Sequence, residues 1–137
     1  MATKIAINGF GRIGRCIARI LLSEGATDIE LVGINDLTSA EALGHLLAFD
    51  SVHRRFSKTV EVKEGALVIG GKRIPVLAEK DPAKLPWKSL GASVVIESTG
   101  LFTSRDGAQK HIDAGAQRVI ISAPGGSDID GTFCVGI

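Results

Sequence analysis

The chain has 137 residues, with 16 Lys plus Arg against 15 Asp plus Glu and a formal net charge of +1. That is about one domain's length, and the balanced charge argues against a nucleic-acid binder. Two cysteines outside any C-x-x-C exclude a disulfide scaffold, and no apolar run approaches the ~18 residues of a membrane span.

In chain order, Thr3 to Asn8 reads as a short buried strand bounded by Gly9. Ile13, Cys16, Ile17, Ile20 and Leu21 then recur at three and four, the apolar face of a helix stopped at Gly25. Glu30 to Asn35 is the next strand. Thr38-Ser39-Ala40-Glu41 fits a capping box opening a helix through Leu43, Leu46 and Leu47. Thr59 to Ala78 reads as antiparallel hairpins turning at Glu64-Gly65 and Gly70-Gly71, with Pro75 at an edge or bulge. Asp81 to Leu90 is loop or short helix. Ser93 to Glu97 is a strand, Ser104 caps a helix over Arg105 to Ala114, and Arg118 to Ser122 is another strand. Thr132 to Ile137 also looks like a strand, so the chain reads as a piece of something longer. Met1 to Lys4 carries no basic or apolar leader, and the default expectation is a cytoplasmic protein. Strand–helix alternation at both ends implies an α/β fold: a doubly wound, mostly parallel Rossmann-type sheet with an inserted antiparallel hairpin region.

The densest motif is Gly9-Phe10-Gly11-Arg12-Ile13-Gly14. A bare G-x-G-x-x-G is weak in a chain with 17 glycines. This one follows a strand and opens a helix, as binding a dinucleotide requires. Gly9 permits the turn, Gly11 lets backbone approach a pyrophosphate, and Gly14 lets helix pack on strand. The helix N-terminus attracts the anion, and Arg12 and Arg15 oppose the dipole there unless an anion arrives. Asp36, 22 residues after Gly14, stands where an acid binds adenosine ribose hydroxyls; it repels a 2′-phosphate, favouring NAD over NADP. Four strands end in small polar residues: Asn8, Asn35-Asp36, Ser98-Thr99 and Ser122. Together they are expected to ring one crevice at the carboxyl edge of the sheet.

The segments Asn8 to Arg15, Ile34-Asn35-Asp36, Phe49 to His53, Glu97 to Phe102, His111 to Ala116 and Val119 to Pro124 resemble phosphorylating glyceraldehyde-3-phosphate dehydrogenases. The resemblance spans residues 1–137 and is to the N-terminal NAD-binding domain, without the catalytic domain. It implies that Arg12 and Ile13 hold the pyrophosphate and Asp36 the ribose. Lys80, often Arg in the family, lies by the adenine, and Thr99, Gly100 and Ser122 line the nicotinamide side. It further implies a full-length homotetramer that oxidises glyceraldehyde 3-phosphate with NAD and inorganic phosphate through a Cys thiolate. The family's Ser-Cys-Thr-Thr-Asn segment is absent from this sequence, so the fragment alone is expected to be inactive. Two alternatives remain: an erythrose-4-phosphate dehydrogenase domain and a non-catalytic nucleotide-binding module.

Other reactive residue types read as packing or surface. Cys16 falls on an apolar helix face. Cys134 sits in an apolar run with no adjacent cation to lower its pKa. His45 and His53-Arg54-Arg55 read as packing, surface or a subunit contact. His111 has no visible partner, and Glu97, at the end of an apolar strand, is expected behind the crevice with its partner unidentified. No cluster has metal-ligand spacing.

Overall fold

The computed structural model describes residues 3–23, 28–48, 60–69, 71–102 and 105–122. The expectations for Gly25, Phe49 to His53, Arg54-Arg55, Ser104, Ala123 to Gly126 and the segment containing Cys134 lie outside these residues.

The strands are β1 (Thr3–Asn8), β2 (Ile29–Asn35), β3 (Val60–Lys63), β4 (Ala66–Ile69), β5 (Lys72–Leu77), β6 (Val94–Glu97) and β7 (Arg118–Ile121). The helices are α1 (Arg12–Ser23), α2 (Ala40–Ala48), α3 (Trp87–Leu90) and α4 (Arg105–Asp113), with a 3-10 turn at Pro82–Lys84. The sheet order is β3-β4-β5-β2-β1-β6-β7. The five strands from β5 to β7 run parallel, and β3 and β4 form the antiparallel hairpins. The order reverses at β1: the chain first builds outward through β2, then returns to add β6 on the other side. A crevice opens at such a reversal because the flanking connections leave in opposite directions.

Alternation along the strands divides the core between the two sheet faces. Ile5, Ile7 and Ile96 pack with Leu43 and Leu47 of α2 and with Ala18 and Ile17 of α1. Ala6 and Val95 face the other way, against Leu85, Trp87 and Ala116. Asn8 and Glu97 continue the parity of Ala6 and Val95, so their side chains turn to the Trp87 side.

Three local expectations shift. On α1 the buried positions are Gly14, Ala18 and Arg19, with Ile17 and Leu22 packed against the core, while Ile13 and Ile20 are 51% and 50% exposed. Small residues at 14 and 18 let the helix sit close to the sheet, which moves the contact face off the predicted stripe. The cap of α2 is Ser39, whose Oγ accepts the Ala42 N–H, rather than Thr38, and Leu46 is exposed. Pro75 is in an interior strand. It pairs with Ala66 of β4, and the pairing to β2 begins only at Val76. Proline therefore occupies the handover between antiparallel and parallel partners, where a missing N–H is tolerated.

Candidate cofactor-binding site

The carboxyl edge of the sheet carries a cavity of about 480 Å³. That is within the usual range for a small-molecule site. Its floor and walls include Asn8, Gly9, Gly11, Asn35 and Asp36 from the first two strand ends. Lys80 contributes from the loop after β5, and Ser98 and Thr99 from the loop after β6.

The glycine loop is built as its motif requires. Gly9 has φ +93°, and a Cβ there would lie 2.7 Å from the Thr99 nitrogen. A Cβ on Gly14 would lie 2.3 Å from the Gly9 carbonyl oxygen. Only glycine allows α1 to start this close to β1 and β6. Gly11 differs, since a Cβ there meets nothing within 4 Å and the residue borders the open cavity. The first turn of α1 carries no acidic side chain. Its first helical bond runs from the Arg15 N–H to the Gly11 carbonyl. By helix geometry the N–H groups of Arg12, Ile13 and Gly14 then have no acceptor in a preceding turn. These features suit a pyrophosphate. Arg12 is exposed, whereas Arg15 donates to the Phe10 carbonyl at 3.2 Å and braces the loop.

Asp36 ties the glycine loop to the turn before α2. One carboxylate oxygen accepts the Phe10 N–H at 2.7 Å and the other the Thr38 N–H at 2.9 Å. A carboxylate has about four lone-pair sites, so acceptor capacity remains for ligand hydroxyls.

The last rung of the parallel sheet is polar. Asn35, Asn8 and Glu97 are direct neighbours in register across β2, β1 and β6. Asn35 clasps the backbone of Glu79, accepting its N–H and donating to its carbonyl, both at 2.9 Å. Asn35 Nδ2 also donates to Asn8 Oδ1 at 2.7 Å, and Asn8 Nδ2 donates to Glu97 Oε2 at 2.6 Å. Glu97 Oε1 accepts both the N–H and the hydroxyl of Thr99. His111 Nε2 lies 2.6 Å from Glu97 Oε2, and Trp87 Nε1 donates to His111 Nδ1 at 3.0 Å. An indole N–H only donates, so Nδ1 must accept and the ring proton sits on Nε2, facing Glu97. Burial pushes the Glu97 carboxyl upward. The hydrogen bonds from His111, Thr99 and Asn8 outweigh it and hold the group below the usual carboxylate range.

The amides of Asn8 and Asn35 are therefore turned into this network, and these residues meet the cavity as its floor. Phe10 is 1% exposed, with its ring in the core. Arg12, Ile13 and Gly14, which follow Gly11 on α1, and Gly100, between Thr99 and Leu101, are not among the residues that line the cavity. Ser122 departs from the expected ring. Its N–H bonds to the Glu97 carbonyl, but β7 is two strands from β1, about 10 Å at ~4.8 Å per strand, and Ser122 does not border the cavity. Sequence reasoning missed Leu37, Glu79, Leu101 and Phe102 as lining. Leu37 and Leu101, 60% and 78% exposed, are legible only as apolar residues within two positions of polar strand ends. His111, which showed no partner in the sequence, is fully buried between Trp87 and Glu97. Cys16 is half-buried with a free thiol.

Among the described residues no group of three or more His, Cys, Asp or Glu is placed to hold a metal ion. No helix among them is long and apolar enough to cross a membrane.

Comparison with known proteins agrees with this geometry. The family described as "Glyceraldehyde 3-phosphate dehydrogenase, NAD binding domain" matches residues 3–105. A glyceraldehyde-3-phosphate dehydrogenase of Thermotoga maritima is 55% identical over 127 residues, covering 92% of this chain and 38% of that protein. The chromosomal enzyme of Cupriavidus necator is 51% identical over 138 residues, covering 100% of this chain and 41% of that protein. The cytosolic enzyme of Trypanosoma brucei brucei is 51% identical over 128 residues, covering 93% and 38%. The chain thus spans about two fifths of the length of the curated relatives it matches. With its glycine loop, acid and crevice in these positions, it belongs to the NAD-binding domain family of glyceraldehyde-3-phosphate dehydrogenase.

Proposed function

We propose that residues 1–137 act as one NAD-binding domain of a phosphorylating glyceraldehyde-3-phosphate dehydrogenase. The observation that carries this is the open first turn of α1 and Gly11 beside a cavity bordered by Asp36. In this reading the N–H groups of the α1 first turn, with Arg12 and Ile13, hold the pyrophosphate. The Asp36 carboxylate accepts from ribose hydroxyls and repels a 2′-phosphate. Leu37, Leu101 and Phe102 give a planar base apolar walls, with Lys80 at the rim. Thr99, Gly100 and Ser122 belong to the nicotinamide end, Ser122 only if a ligand reaches beyond the cavity. NAD supplies a hydride acceptor when bound; the chain's own residues orient it and keep the adenosine half out of water.

The whole protein's chemistry is part of the same proposal: oxidation of glyceraldehyde 3-phosphate with inorganic phosphate, as a cytoplasmic homotetramer. A thiolate nucleophile needs a nearby cation, His or helix N-terminus. Cys16, half-buried in α1, is not the nucleophile in this reading, and neither is Cys134. The 137-residue chain alone therefore binds cofactor without turning over.

Calorimetric titration of the chain with NAD and NADP tests the binding, and NADH production from glyceraldehyde 3-phosphate and phosphate tests the division of labour. NAD is expected to bind and NADP to bind more weakly, with no turnover. No heat at millimolar NAD, equal binding of both nucleotides, or turnover abolished by Cys134→Ser would each overturn part of the reading.

A further inference from the structure

The two loops walling the cavity are joined beneath it by one unbroken chain of hydrogen bonds. From the wall after β5 it runs through the Glu79 backbone to Asn35, Asn8 and Glu97, and ends at Thr99 in the wall after β6. Asn8, Asn35 and Glu97 are at most 3% exposed, so water does not compete for their groups. The direction of each bond is determined. The Glu79 N–H fixes which end of the Asn35 amide is oxygen, which fixes the Asn8 amide in turn. Four donors then converge on Glu97: the Asn8 amide, His111 Nε2–H, and the Thr99 N–H and hydroxyl. The Thr99 oxygen in turn accepts the Leu101 N–H at 3.0 Å, so Glu97 orders the wall as far as Leu101.

We propose that Glu97, oriented by His111, is a positioning residue for the cofactor: its carboxylate sets the spacing of the two walls without itself touching the ligand. The inference rests on the NAD-binding reading and deepens it. Only a carboxylate fits the role. Glutamine presents an NH₂ at one end, which meets either the Thr99 N–H or the donors of Asn8 and His111. His111 cannot relieve the conflict by moving its proton, because Nδ1 is held as the acceptor for Trp87.

The test compares the unmodified chain with Glu97→Gln, Thr99→Val and Thr99→Ser. NAD affinity is measured by calorimetry at a temperature where circular dichroism shows each protein folded. Backbone amide NMR shifts are followed at Glu79 and Lys80 on the opposite wall. The expected result is a loss of about tenfold or more in NAD affinity for Glu97→Gln and Thr99→Val, since each removes hydrogen bonds to a charged group. Thr99→Ser, which keeps the hydroxyl, restores binding to within about twofold. The Glu79 and Lys80 amides shift in both weakened variants, which a merely local structural role would not cause. Should Glu97→Gln fail to fold, Thr99→Val decides through the opposite-wall shifts and the serine rescue. Weakening by Thr99→Val but not by a folded Glu97→Gln would make Thr99 a direct contact and overturn the proposal. Unchanged affinity in both variants would also overturn it. Absence of NAD binding by the unmodified chain would instead remove the reading on which it rests.

Discussion

The β1–α1–β2 unit and the β6–α4 unit make the two sides of one crevice by different means. On the β1 side the site is local. Gly9, Gly11 and Gly14 shape the turn within six residues, and Asp36 is the first residue beyond β2. On the β6 side it is assembled from distant sequence: Glu97 meets Asn8 across 89 positions, and His111 meets Trp87 across 24. A local site depends on backbone space, so its failures are steric. A dispersed one depends on satisfied polar groups, so its failures are electrostatic.

Breaking the dispersed side is expected to cost most. His111→Leu removes one of the four donors on the Glu97 carboxylate and leaves the Trp87 N–H buried without its acceptor. A lost hydrogen bond to a charged group costs about 1.5–3 kcal/mol and an orphaned buried donor about 1–3 kcal/mol more. Urea unfolding of this variant should show that loss, and a loss below 1 kcal/mol would mean that water replaces the imidazole. The local side breaks by crowding. Gly14→Ala sets a methyl 2.3 Å from the Gly9 carbonyl and should cost about 1–3 kcal/mol, with weaker NAD binding. Gly11→Ala meets no protein atom, so it should leave stability nearly unchanged while weakening NAD. Equal thermal loss in both alanine variants would contradict this distinction.

Acid sharpens the comparison. The Glu97 carboxyl is held below its ordinary value in the folded protein. A depressed carboxylate contributes stability that is fully present above the unfolded value of about 4.3 and is lost as pH falls through the folded value. Stability should therefore decline below about pH 4 to 5, and Glu97→Gln should flatten that limb although it is less stable at neutral pH. An unchanged acid limb in the variant would assign the decline to other carboxylates.

Asp36→Ala should cost NAD about 1.5–3 kcal/mol in calorimetry, as for a hydrogen bond to a charged acceptor, and narrow the gap to NADP. The smallest effect belongs to the surface. Lys72 and Glu30 lie 3.1 Å apart but keep 40% and 36% of their side chains exposed, so Lys72→Ala should change stability by less than about 1 kcal/mol.

These contrasts also explain what the sequence disclosed. The strands and most helices were legible because alternation and three–four spacing are local, and the glycine loop because its spacing is its mechanism. The α1 contact face departs from the apolar stripe because Gly14 and Ala18 count little on a hydropathy pattern yet decide how closely the helix packs. Pro75 reads as an edge or bulge because sequence does not reveal that β5 changes partners midway. The partners of Glu97 and His111 were invisible for a stronger reason. Sequence puts Glu97 behind the crevice, but only the register sets it on one rung with Asn8 and Asn35, and only the fold brings His111 of α4 to it.

The most direct test of the account is a map of NAD on the protein by ¹H–¹⁵N chemical-shift perturbation of the 137-residue chain. The account predicts saturable shifts at the amides of Gly11 to Gly14, Asp36, Leu37, Lys80 and Thr99 to Phe102, with the hairpin turn at Glu64-Gly65 unmoved. Saturable shifts centred on that hairpin or elsewhere, or no shifts at millimolar NAD, would contradict it.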